Sequence, residues 1–180
     1  YLDVNSPLNL VVSTTTIFNI QKQYQKIFGN IVNLGIVNDI RWINKFFEVV
    51  NEKIDKDGIF IGRVKTYSIR NKELRERYIW GIRTMAVHLE FIFTRVFPKL
   101  PLIKKLYFIV TKGRGRGLSQ AETLGRLASC GFDIIEYKII DGFLWFAVKK
   151  VSEPYFDLDP SYGLLYNMPR IGRYGKIIYV

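Results

Sequence analysis

One stretch of the chain, residues 31–62, constrains the fold more than any other: IVNLGIVNDIRWINKFFEVVNEKIDKDGIFIG. It begins with an apolar run at residues 31–34 and continues with apolar side chains at helical spacing over residues 40–53. DKDG is the predicted turn after this helix, and a second apolar run, IFIGRV, follows at residues 59–64. A strand, a helix and a strand in this order predict a parallel βαβ unit. Because IFIGRV is apolar on both faces, we expect it at the centre of a sheet that is covered on both sides.

The rest of the chain extends this unit into a larger α/β domain. An opening strand is predicted within LNLVVSTTTIFNI, and Ser119 and Glu122 form a capping box for a helix that ends at Gly131. The Asp141-Gly142 pair predicts a tight hairpin between two final strands. The predicted fold class is therefore α/β, with a mostly parallel Rossmann-like sheet and an antiparallel closing hairpin that adds an edge strand.

The predicted domain covers residues 1–152 and carries a helical insert at about residues 70–112, which is broken at PKLP. Residues 153–180, rich in Pro, Gly and Tyr, predict an extended linker. The chain begins with Tyr rather than Met and ends within the apolar run KIIYV, so we expect it to be part of a longer protein. With 48% hydrophobic residues the domain is expected to fold, and its single cysteine excludes an internal disulfide.

The charge of the chain is concentrated in one segment. Residues 63–116 hold fourteen Lys or Arg but only three acids, so they account for the whole formal charge of +11. This asymmetry predicts an anionic partner: lipid head groups, nucleic acid or phosphorylated substrates. Nucleic acid is disfavoured because no recognised binding signature is present.

Aromatic side chains alternate with these cations between residues 80 and 110, a pattern typical of a helix at a membrane interface. The alternative is an ordinary core helix with solvated basic residues. The predicted contacts with an anionic surface are Arg95, Lys99, Lys104, Lys105, Lys112, Arg114 and Arg116.

Polar residues follow the first two predicted strands. Ligands of open α/β sheets bind at the carboxyl ends of the strands, so these residues are candidates for a ligand pocket. Helix capping and turn formation are the simpler alternative and are favoured. The candidate pocket residues are Thr14, Thr15, Thr16, Asn33, Asn38 and Asp39.

The glycine-rich run GRGRG at residues 113–117 resembles a dinucleotide fingerprint superficially, with Glu136 at about the spacing expected of the ribose-binding acid. A Pro-interrupted basic segment precedes it, however, so a flexible basic loop is favoured. His88 is expected to pack on an apolar helix face, and Cys130 is expected to be a buried thiol. No metal-ligand spacing occurs in the sequence, and we expect no cofactor.

Residues 31–62 and the run from FIFTRVFPKL to GFLWFAVKK resemble the N-terminal region of Bacteroidetes sugar transferases, the membrane-bound initiating enzymes of capsule and exopolysaccharide synthesis. In that family a polyprenyl-phosphate glycosyl-1-phosphate transferase domain follows a segment similar to RIGRYGKIIYV. The resemblance implies a module at the cytoplasmic face of the inner membrane that positions or regulates the transferase domain of the same chain.

The same region is similar to the later half of class I methyltransferases, from VNDI through IFIG to the closing hairpin. It departs from them after the first strand, where VVSTTTIF lacks the glycine loop that lets the backbone approach S-adenosylmethionine. The resemblance therefore implies a degenerate methyltransferase-like domain without catalysis of its own. Two alternatives stay open: an active S-adenosylmethionine-dependent methyltransferase and a module that binds a nucleotide sugar.

Overall fold

Five strands form one open sheet in the order β1-β2-β3-β5-β4. The computed structural model describes residues 7–23, 27–97, 100–154, 169–171 and 177–179. Strands β1 to β3 are parallel, and β5 runs antiparallel to both of its neighbours, β3 and β4. The strands of this sheet are β1 (Asn9–Val12), β2 (Phe28–Ile36), β3 (Ile54–Val64), β4 (Phe132–Ile140) and β5 (Phe143–Lys150).

Six α-helices connect these strands in the described part of the chain. They are α1 (Phe18–Gln21), α2 (Ile43–Lys53), α3 (Tyr67–Arg77), α4 (Trp80–Phe91), α5 (Pro101–Thr111) and α6 (Gln120–Ser129). A 3-10 turn at Val37–Asp39 precedes α2, and a π-helical turn at Ile92–Val96 continues α4. Strands β6 (Pro169–Ile171) and β7 (Ile177–Tyr179) pair separately, and most of the predicted linker lies outside the described residues.

The predicted α/β fold with a mostly parallel sheet and a closing hairpin is confirmed, and so is the central place of β3. Two expectations about strands are wrong. The antiparallel strand β5 lies between β3 and β4 instead of at the edge. DKDG is not a turn before β3 but an irregularity within it, where Asp57 adopts a positive φ and the pairing with β2 shifts.

The hydrophobic core lies between the sheet and helices α2 and α6. The Phe47 ring on α2 packs edge-on against Phe60 of β3 at 6.1 Å and Phe146 of β5 at 6.4 Å. Leu127 of α6 belongs to the same buried cluster. The helical spacing recognised in the sequence of α2 therefore forms the apolar face that holds the sheet.

The opposite face of the sheet is only partly covered by the described residues. Ile59, Ile61 and Arg63 alternate with buried residues along β3 and stay half-exposed. The Arg63 guanidinium lies over the rings of Phe143 and Trp145, at 4.8 and 5.5 Å from their centres. The expectation of a sheet covered on both sides is thus wrong for the described part of the chain.

The two helix-capping predictions have different outcomes. Ser119 Oγ accepts a hydrogen bond from Glu122 N, which confirms the start of α6. Helix α2 begins at Ile43, three residues later than predicted, and no side chain caps it. The Asn38 and Asp39 side chains, expected to cap α2, bond elsewhere.

Replacement of Phe47 by Ala tests the core assignment. The change removes a fully buried ring and its aromatic contacts, so we expect the free energy of unfolding to fall by about 3–5 kcal/mol. Phe18→Ala is the matched control, because the Phe18 side chain is 63% exposed and its removal should change stability by about 0.5 kcal/mol or less. Urea unfolding followed by circular dichroism measures both, and equal losses would contradict the assignment.

Candidate functional site

The first polar cluster lies at the carboxyl ends of the neighbouring strands β1 and β2. Asn33 is fully buried, and its amide oxygen accepts hydrogen bonds from Thr14 N and Gly35 N, both at 3.0 Å. Its amide nitrogen donates to Thr14 O, also at 3.0 Å. These bonds connect the end of β1 to β2. The Asn33 amide is therefore hydrogen-bonded to backbone groups at the edge of the sheet where a ligand would bind.

The three threonines form a local turn beside this tie. Thr14 Oγ1 accepts hydrogen bonds from Thr16 N at 3.1 Å and from Asn19 Nδ2 at 2.9 Å. Thr14 is buried, Thr15 is half-buried and Thr16 is exposed. Only the last two therefore present surface to solvent at this edge.

The second cluster joins the turn after β2 to the two ends of the helical insert. Asn38 Nδ2 donates to Lys65 O at 2.9 Å and to Arg116 O at 2.7 Å, and Asn38 Oδ1 accepts from Lys65 N at 2.7 Å. Asp39 Oδ1 accepts from Gly115 N at 2.9 Å. The structure thus brings Asn38 and Asp39 together with the GRGRG loop, a contact that no sequence signal indicated.

The backbone N–H groups of the GRGRG loop donate hydrogen bonds to other parts of the same chain. Gly113 N and Arg114 N donate to Thr111, Gly115 N donates to Asp39, and Arg116 N donates to Asn38 O. Helix α5, not a strand, precedes the loop, so the strand-to-helix turn of a dinucleotide site is missing. The Asp39 carboxylate accepts from Gly115 N, a backbone donor that a phosphate bound to this loop would need.

The three acids of the basic segment are all paired with bases of the same segment. The ion pairs are Lys65–Glu73 at 2.6 Å, Arg70–Glu90 at 2.6 Å and Lys72–Glu76 at 4.0 Å. The positive excess predicted from the sequence is therefore carried by the other basic side chains.

The predicted anion contacts divide into two groups. Lys105, Lys112 and Arg114 are exposed, and none forms an ion pair with a described residue. Arg95 pairs with Glu122 at 3.6 Å, and Arg116 Nη1 donates to a backbone carbonyl, that of Arg41. Lys99 and the side chain of Lys104 lie outside the described residues.

Helices α4 and α5 each expose an apolar face. On α4 and the residue before it, Ile79, Ile82, Met85 and Leu89 recur at three- and four-residue spacing and are 54–83% exposed. On α5, Leu106, Ile109 and Val110 are 62–72% exposed. None of the described helices combines the length and the hydropathy of a membrane span.

An apolar groove of about 430 Å³ lies between α3 and α4. Its walls include Leu74 on α3, Tyr78 directly after it, and Ala86, Leu89 and Phe93 on α4 and its π-helical continuation. The groove adds apolar surface on the same helical insert, beside the exposed face of α4.

Two further reactive side chains are Cys130, which directly follows α6, and His88 on α4. Cys130 is buried, and burial raises the pKa of its thiol to about 11, so the thiol stays protonated at neutral pH. The prediction of a buried thiol is confirmed. His88 is exposed on α4 and donates from Nδ1 to Thr84 O at 2.7 Å, so the prediction that it packs on an apolar face is wrong. The described residues contain no group of three His, Cys, Asp or Glu that could hold a metal ion.

Comparison with known proteins gives a likeness of fold only. No family model matches the chain, and no curated protein matches its sequence. An O-methyltransferase family 2 protein from Planctomyces limnophilus, in complex with apigenin, is 12% identical with a TM-score of 0.43 over 73% of this chain and 33% of that chain. A SAM-dependent methyltransferase from Thermotoga maritima, a possible histamine N-methyltransferase, is 10% identical with a TM-score of 0.43 over 73% of this chain and 61% of that chain.

An S-adenosylmethionine dependent methyltransferase from Mesorhizobium loti is 14% identical with a TM-score of 0.43, over 72% of this chain and 66% of that chain. The chain spans about a third to two thirds of the length of these three structures.

Replacement of Asp39 by Ala tests the junction between the turn after β2 and the loop. The change removes the acceptor of Gly115 N, so we expect hydrogen exchange of the Gly115 amide to accelerate about tenfold. Asp39→Asn keeps an oxygen acceptor at the same position and should protect this amide nearly as the native residue does. Exchange followed by mass spectrometry or NMR measures both, and an unchanged rate in Asp39→Ala would contradict the described bond.

Proposed function

We propose that this methyltransferase-like α/β domain is a non-catalytic module that binds the surface of an anionic membrane through helices α4 and α5 and the loop after α5. One observation carries the proposal: the two helices expose apolar side chains, and the adjoining Lys105, Lys112 and Arg114 are exposed without an ion pair among the described residues. Lipid surfaces favour this combination of apolar and cationic side chains.

The apolar side chains and the exposed cations both contribute to the free energy of membrane binding. Apolar surface removed from water contributes roughly 25 cal/mol per Å², and each cation near an anionic leaflet contributes about 1 kcal/mol. Stable anchoring commonly takes two such signals together. Residues 101–117, which form α5 and the loop after it, contain no Asp or Glu, so no carboxylate of this segment opposes the approach to anionic lipid.

The module would serve a sugar transferase of capsule or exopolysaccharide synthesis, held at the cytoplasmic face of the inner membrane in the same chain. This part of the proposal rests on the resemblance of residues 31–62 and of the later segments to that family. A non-catalytic role is supported by Asn33 and Asn38, whose amides are engaged by backbone groups at the edge where a cofactor would bind.

The second candidate function is binding of S-adenosylmethionine as a methyltransferase. The observation in its favour is the polar edge formed by Thr15, Thr16 and Asp39 at the carboxyl ends of parallel strands, the usual ligand position in open α/β sheets. The three proteins compared above are methyltransferases by name. Under this candidate, Asn33 and Asp39 would lie in the cofactor pocket.

Replacement of Leu106 by Ser tests membrane binding. Leu106 is 62% exposed on α5, and loss of its apolar surface should weaken binding to vesicles about tenfold. The matched control is Phe18→Ser on α1, since Phe18 is 63% exposed but lies outside the insert, and its binding should equal that of the native chain. Co-sedimentation with vesicles of phosphatidylcholine and phosphatidylglycerol measures the affinities.

The same assay tests the charge contribution. A double change, Lys112→Glu with Arg114→Glu, should abolish the preference for phosphatidylglycerol over pure phosphatidylcholine vesicles. Two results would overturn the membrane proposal: vesicle binding that does not depend on the fraction of anionic lipid, or an equal loss of vesicle affinity in Leu106→Ser and Phe18→Ser.

Calorimetric titration with S-adenosylmethionine separates the two candidate functions. We expect no binding heat, because the glycine loop is missing and the edge amides are occupied. Stoichiometric micromolar binding that is lost in Asp39→Asn would establish the methyltransferase candidate, since this variant is expected to keep the loop in place. A parallel titration with a UDP-sugar tests the nucleotide-sugar alternative, which requires binding that depends on Arg114 and Arg116.

A further inference from the structure

Strand β4 forms one edge of the sheet, and its second half is exposed. It pairs with β5 on one side, and no other described strand pairs with its outer side. Ile135, Tyr137, Ile139 and Ile140 are 45–61% exposed. A nine-residue edge strand with apolar side chains is a template for pairing with another strand, and proteins normally protect such edges.

The sequence of this edge is its own antiparallel complement. Residues 135–139 read Ile-Glu-Tyr-Lys-Ile, with Tyr137 at the centre. When two copies pair antiparallel about a two-fold axis at Tyr137, Glu136 of each copy lies opposite Lys138 of the other. A shift of the axis to Glu136 or to Lys138 places like charges opposite each other, which destabilises a cross-strand pair.

The side chains needed for this pairing are available and on the correct faces. Neither Glu136 nor Lys138 forms an ion pair with a described residue. Both lie on the same face of the sheet, since they are opposite Ala147 and Trp145 on β5. Two Glu–Lys pairs can therefore form across the axis on one face, with the Tyr137 rings meeting on the other.

The backbone of the edge is also oriented for pairing. Ile140 and Phe143 flank the two-residue turn Asp141-Gly142, whose positive φ angles fit a type I′ hairpin. Such flanking residues bond to each other, and hydrogen-bonded pairs alternate along an antiparallel ladder. Tyr137, three residues before Ile140, therefore directs its N–H and C=O away from β5, toward the open edge.

We propose that two copies of this chain associate through antiparallel pairing of their β4 edges about Tyr137, which makes one sheet continuous through both copies. The interface is isologous, as two-fold symmetry requires. The irregular pairing around Ile135 limits the shared ladder to a few residues, so the dimer belongs to the small-interface class with an expected dissociation constant of roughly 10–100 µM. This proposal does not depend on membrane binding or on methyl transfer.

Charge reversal at the two pairing positions tests the proposal. Lys138→Glu places Glu opposite Glu at both ends of the pair, so we expect the dissociation constant of the dimer to rise at least about tenfold. The double variant Glu136→Lys with Lys138→Glu carries the same substitution but restores opposite charges across the axis, and its dimer should match the native one. Sedimentation velocity over a concentration series measures all three chains.

A mixture of the two single variants gives a further check. Glu136→Lys and Lys138→Glu are each expected to be monomeric, whereas their mixture should form a heterodimer with complementary charges. Both positions are exposed, so melting temperatures should equal that of the native chain. A native chain that stays monomeric up to about 500 µM, or a Lys138→Glu variant that dimerises like the native chain, would overturn the proposal.

Discussion

The Asn38 side chain holds the two ends of the helical insert together, and the position of the insert depends on it. One amide nitrogen donates to Lys65 O, where β3 ends, and to Arg116 O, where the insert returns to the sheet. Next to it, Tyr67 N donates to Leu118 O at 2.8 Å, so the two ends of the insert run side by side. Because Asn38 is buried, loss of its amide would leave backbone groups unpaired in the interior.

Because the two ends of the insert are held together, the sheet accommodates three inserted helices, α3 to α5, and β3 keeps its pairing with β5. Strand β3 pairs with β5 from Ile59 to Val64 although the insert and α6 separate them in sequence. Arg70 forms an ion pair with Glu90 and donates to Gly115 O, and Arg95 forms an ion pair with Glu122, so the insert is also attached to the GRGRG loop and to α6. These contacts fix the insert on the sheet, and the cations that remain exposed lie on its surface, outside the core.

Local signals in the sequence identified much of the fold. The spacing of Phe46, Phe47 and Val50 predicted the buried face of α2, and Ser119 predicted the start of α6 because a cap acts over only three residues. The Asp141-Gly142 turn was equally local. Each of these features is determined by neighbours within one or two turns of the chain.

Long-range contacts were not predictable from the same signals. Asn38 looked like a helix cap, but its partner Arg116 is 78 residues away, and nothing in VND or GRGRG encodes their contact. The place of β5 between β3 and β4 is set by tertiary packing of Phe146 against Phe47 and Phe60, not by the strand itself. The sequence predicted that the candidate pocket residues follow the first two strands, but it could not reveal that the Asn33 and Asn38 amides are occupied by backbone groups.

The type I′ turn at Asp141-Gly142 also has a kinetic consequence. A hairpin with so short a turn closes in about 1–10 µs, whereas pairing between distant segments must first overcome the entropy of a long loop. Strands β4 and β5 can thus pair early. The pairing of β5 with β3 forms only after the two ends of the insert have come together. During synthesis the hairpin emerges after the insert, so the sheet is completed only once this last local unit docks.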